Sequence, residues 1–109
     1  MFLYQGNPNP FEKPKLVTQS SDYTGSHNGK WEGYLLNQYN SGSAQFSVQT
    51  NGKATLRLSG GFSATHKGRV EGKYFIIDKG ERCSIVDLGG RRFRINLRWA
   101  GVNVDVNFL

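Results

Sequence analysis

The sequence predicts an all-β fold: a small eight-stranded antiparallel up-and-down meander, closed into a barrel and preceded by an irregular N-terminal arm. Three observations lead there. From Gly29 onward apolar and polar residues alternate with period two, the pattern of half-buried strands. The 14 glycines are spread along the chain, at joints where turns and bulges need them. The joints are short, and no segment after Gly29 has helical periodicity, so consecutive strands pair as antiparallel neighbours. Such a meander loses its open edges by closing on itself; a β-sandwich is the alternative.

The chain divides into an arm, residues 1–29, and a barrel domain, residues 30–109. Pro8, Pro10 and Pro14, the only prolines, fall in the arm, and the stretch 19–28 is polar without periodicity. Phe2, Leu3, Tyr4 and Phe11 offer the arm apolar groups with which to dock. Strands are expected near 31–39, 43–49, 53–59, 62–70, 73–78, 81–88, 91–99 and 102–108. The first joint is read at Asn40-Ser41-Gly42. Later ones fall at Gly60-Gly61, Glu71-Gly72, Lys79-Gly80 and Gly89-Gly90.

The last hairpin is the clearest element. Phe93, Ile95, Leu97 and Trp99 alternate with Arg92, Arg94, Asn96 and Arg98. Beyond Ala100-Gly101, Val102, Val104, Val106 and Phe108 alternate with Asn103, Asp105 and Asn107. A two-residue loop puts Trp99 opposite Val102 and Phe93 opposite Phe108, with every apolar residue on one face. Around Asn51-Gly52 a two-residue loop would split the apolar sets. A three-residue loop, Thr50-Asn51-Gly52, pairs Val48 with Ala54 and Phe46 with Leu56, and places Gly52 at the left-handed position.

Two strands carry apolar residues on both faces. Tyr74, Phe75 and Ile77, with Val86 and Leu88, are therefore candidate interface residues, to be covered by the arm or by a second subunit.

Gly29-Lys30-Trp31 forms a G-x-W at the start of the first strand, which resembles the opening of lipocalins and related calycin barrels. In that family the Trp closes one barrel end and a basic residue near the last strand packs across it. The resemblance implies a ligand-binding barrel. Arg98 is the residue nearest that basic position; it lies on the penultimate strand, and the alternation points it outward.

Composition and motifs narrow the function. A formal net charge of +6 draws the protein toward anionic partners. The single Cys83 makes no internal disulfide and favours a reducing compartment such as the cytoplasm. Met1-Phe2-Leu3-Tyr4 has no basic leader region, and no apolar run is long enough for a membrane span. His27 and His66 sit in no zinc pattern, no nucleophile elbow or P-loop is present, and the carboxylates are scattered, so no cofactor, metal site or catalytic residue is expected. Cys83 reads as a small buried hydrophobe, and His66 as a histidine near a barrel end.

Two constellations remain. Arg92, Arg94 and Arg98 share the outward face of one strand as a basic stripe, a candidate contact for nucleic acid, though the face lacks interleaved aromatics for base stacking. Trp31, Phe46, Phe93 and Trp99 face inward as candidates for binding a small apolar ligand. The function expected is a non-catalytic binding protein that engages a protein partner or a second copy of itself through the outer sheet surface. Binding of a small apolar ligand or of nucleic acid are the alternatives.

Overall fold

The structure, a computed structural model, describes residues 23–109. The expected arm lies outside the described residues up to position 22. Eight antiparallel strands follow in order: β1 (Gly25–Leu35), β2 (Gln38–Val48), β3 (Lys53–Gly60), β4 (Ala64–Glu71), β5 (Tyr74–Ile77), β6 (Arg82–Gly89), β7 (Arg92–Trp99) and β8 (Val102–Phe108). Each pairs with its successor, and β8 returns to pair with β1, so the sheet is a closed barrel.

Two joints form as the alternation requires. In the last hairpin Trp99 faces Val102, Leu97 faces Val104, Ile95 faces Val106 and Phe93 faces Phe108. Between β2 and β3, Val48 faces Ala54 and Phe46 faces Leu56, and Gly52 sits at φ 92. The Gln49 amide donates to the Lys53 carbonyl at 2.8 Å and the Gly52 amide to the Gln49 carbonyl at 2.9 Å, which closes the three-residue loop.

The first hairpin turns earlier than the sequence suggested. β1 begins at Gly25, inside the segment assigned to the arm, and the loop is Leu36-Asn37 rather than Asn40-Ser41-Gly42. Both loop residues have left-handed φ, 52 for Leu36 and 68 for Asn37, as a two-residue turn matched to strand twist demands. Gly42 is needed inside β2 for another reason. It faces Trp31, and a Cβ there would lie 1.9 Å from the Ser59 carbonyl oxygen and 2.7 Å from the Trp31 Nε1. The indole lies across the glycine and donates its Nε1–H to the Ser59 carbonyl at 2.9 Å, tying β1 to β3 over β2.

The interior is filled. Trp31, Phe46, Leu56, Phe75, Cys83, Ile95, Leu97, Val104 and Val106 are almost wholly buried. Phe93 stacks on Phe108 with centroids 4.9 Å apart, and Phe46 meets Phe75 edge-on at 5.3 Å. Tyr23, just before β1 and only 3% exposed, packs edge-on against Phe93 at 5.1 Å and closes that end of the barrel.

In the two-sided strands the apolar residues divide between the two faces. Phe75 and Ile77 turn inward and belong to the core, which removes them from any outer interface. Tyr74 and Val86 do face outward, and Leu88 is half-buried. Ile76 is 8% exposed although it alternates away from Phe75; its cross-strand neighbours are Arg69 and Arg82. The Arg82 guanidinium lies 5.5 Å from the Tyr74 ring centroid. Arginine stems thus lie beside the apolar groups of this face, as amphipathic side chains do.

Candidate functional site

The arginine stripe exists on β7, but its guanidinium groups are engaged within the barrel. Arg94 donates to the Asn107 side chain at 2.7 Å, across the β7–β8 pair. Arg98 donates to the Val104 carbonyl at 2.7 Å and the Leu97 carbonyl at 3.1 Å, and forms an ion pair with Asp105. Arg92 donates to the Leu88 and Gly89 carbonyls at 3.0 and 3.2 Å, in the turn that leads into its own strand. Arg98 also lies on the outer surface, so its guanidinium is spent there rather than across an indole.

A different cationic face lies on β1–β4, opposite β5–β8 around the ring. Its outward residues form rows in cross-strand register. Ser26, Ser47, Thr55 and Lys67 make one row; Asn28, Gln45, Arg57 and Thr65 the next; Lys30, Ser43 and Ser59 the third. Rows two residues apart along a strand are separated by about 6.6 Å. Each row carries one cation and otherwise hydroxyls and amides, and the cations step diagonally from Lys67 on β4 through Arg57 on β3 to Lys30 on β1. None of the three has an ion pair among the described residues. Lys53 extends the set on β3. Arg69 beside it is bound to Glu71 at 2.5 Å. The middle row lines a shallow open depression of about 640 Å³, together with Ser43, Ser59 and Ser63.

At the Tyr23 end a second polar cluster forms. The Tyr23 hydroxyl donates to Asp87 Oδ1 at 2.9 Å and accepts from Lys73 Nζ at 3.2 Å, while Lys73 also pairs with Asp87. A bulge between Asp87 and Gly89 re-aims this stretch of β6. Lys73, then Tyr23, hold the Asp87 carboxyl below its usual range; Asp87, then Tyr23, push the Lys73 ammonium up. Burial, more than Asp87, raises the Tyr23 phenol. His27 Nε2 lies 2.9 Å from the Tyr23 carbonyl; a carbonyl only accepts, so this nitrogen carries the proton. These contacts bind Tyr23 to the barrel, and the cluster is spent on that.

The other sequence-derived candidates sit in the core or near it. Trp31, Phe46 and Phe93 pack against neighbouring side chains instead of lining a hollow, and Trp99 is partly buried against them. His66 meets Trp99 edge-on at 5.6 Å, and burial lowers its pKa. Burial pushes the Cys83 thiol up to about 11, so it stays protonated at neutral pH. Among the described residues, no three His, Cys, Asp or Glu side chains converge as a metal site. No helix among them is long and apolar enough to cross a membrane.

The sequence reading missed the β1–β4 face because its cations are dispersed along β1, β3 and β4, whereas four arginines crowd residues 91–98. Only strand register brings Lys30, Arg57 and Lys67 into successive rows. No protein family, no curated protein and no solved structure matches this chain.

Proposed function

We propose that this barrel is a non-catalytic binding protein that takes an anionic partner on the outer face of β1–β4. The observation that carries this is the contrast between the two basic surfaces. On β7 each guanidinium of the stripe already has carbonyl, carboxylate or amide partners. On β1–β4, Lys67, Arg57 and Lys30 stand in successive rows with no acid among them, flanked by hydroxyls and amides that donate to anionic oxygens. The face lacks aromatics in these rows, so it suits recognition of charge and spacing rather than base stacking. The filled interior supports an external site over an internal one.

Retention on immobilised heparin, used as a generic polyanion, tests the reading. The triple variant Lys30→Gln, Arg57→Gln, Lys67→Gln is expected to elute at clearly lower salt than the wild type, because each lost contact removes counterion release. The triple variant Arg92→Gln, Arg94→Gln, Arg98→Gln is expected to elute much closer to wild type. Equal elution of the β1–β4 variant and the wild type would defeat the proposal.

A further inference from the structure

The β1–β2 hairpin breaks a local rule. Leu36 takes a left-handed φ of 52, where Asn or Gly is favoured, and its side chain is 83% exposed. Beside it Tyr34 and Tyr39 face each other across the hairpin, edge-on at 5.6 Å, and are 53% and 54% exposed. The Leu36 amide donates to the Gly101 carbonyl of the β7–β8 turn at 2.8 Å, which joins the tip to the neighbouring turn. Strain and apolar exposure at one tip point to a contact outside the chain.

We infer that the anionic partner of the β1–β4 face is a lipid bilayer surface, with Leu36 as a shallow insertion and Tyr34 and Tyr39 at the headgroup level. This rests on the proposed anionic-partner reading and names the partner. The chemistry of the tip and of its strand face selects the occupant. Tyr34 continues the outward series of β1 that holds Lys30, so the aromatic pair and this cation lie on one strand face. The tip presents one exposed Leu and two half-exposed tyrosines. They match the amphipathic rings and apolar group that interfacial proteins place at a membrane edge. Glu32, between Lys30 and Tyr34, accepts the Tyr39 hydroxyl at 2.8 Å and orients that ring. The barrel has an apolar core and an outer face of Lys, Arg, Ser, Thr and Asn, the inverse of a membrane-spanning barrel, so the contact is peripheral.

Co-sedimentation with vesicles of phosphatidylcholine alone, or with 30% phosphatidylglycerol, tests the inference on the full chain; heparin retention and binding to a DNA duplex run in parallel. Wild type is expected to sediment with the anionic vesicles only. Leu36→Asn suits the left-handed turn better, so it should keep or raise the melting temperature while weakening vesicle binding about tenfold and leaving heparin retention unchanged. Wild-type affinity of Leu36→Asn for the vesicles would overturn the inserted tip. Retention on heparin or DNA without vesicle binding would overturn the lipid surface and leave the anionic-partner reading standing. Failure on vesicles, heparin and DNA alike would remove both.

Discussion

His66 shows how one side chain links burial to pH. Its ring leaves solvent to meet Trp99, and that desolvation favours the neutral imidazole. The unfolded chain therefore takes up a proton near the ordinary value of about 6.5, before the folded chain does. The stabilisation is complete above that pH and is lost as pH falls through the lower, folded value. Acidifying from pH 7.5 to below 6.5 is expected to lower the urea midpoint, and Trp99 emission to be quenched once an imidazolium forms beside the indole. In His66→Gln both responses should flatten. Asp87 does not confuse the measurement. Its carboxyl is held down by Lys73 and Tyr23, so its contribution fades only below its usual range near pH 3.9. An unchanged acid response in His66→Gln would place the titration elsewhere.

Among the elements, the β1–β2–β3 contact is the one most easily broken by a small change. Gly42 lets β3 approach β2 under the Trp31 indole, and a methyl group would meet backbone oxygen at 1.9 Å. Because that neighbour is a fixed carbonyl, Gly42→Ala is expected to lower unfolding free energy by about 2 kcal/mol or more, measured by urea denaturation. Loss well under 1 kcal/mol would show that the sheet relaxes there. This glycine also explains which elements were legible beforehand. Where apolar alternation ran through both strands, as from Phe93 to Phe108, periodicity fixed register and turn together. Around Gly42 the same residue type had two possible meanings, turn or close approach, and only the Trp31 contact separates them. β1 was obscured in a similar way: its inward positions include His27, Gly29 and Gly33, which dilute the period-two signal. Tyr23 carried no signal at all, since its partners Asp87 and Lys73 lie far along the chain.

At the scale of the whole molecule, closure of the barrel distributes the net charge of +6 unevenly. Sequence crowding pointed to β7, where hydrogen bonds within the barrel occupy the arginines. Register instead collects on β1–β4 cations that have no ion pair among the described residues, a set visible only once four strands are aligned. Chemical-shift mapping by NMR of the full chain, titrated with a soluble polyanion, tests this directly. Amide shifts are expected to cluster at Asn28, Lys30, Gln45, Arg57, Thr65 and Lys67, with β7 and β8 unmoved and the response fading as salt rises. Shifts confined to Arg92, Arg94 and Arg98, or none at low salt, would contradict the assignment of the binding face.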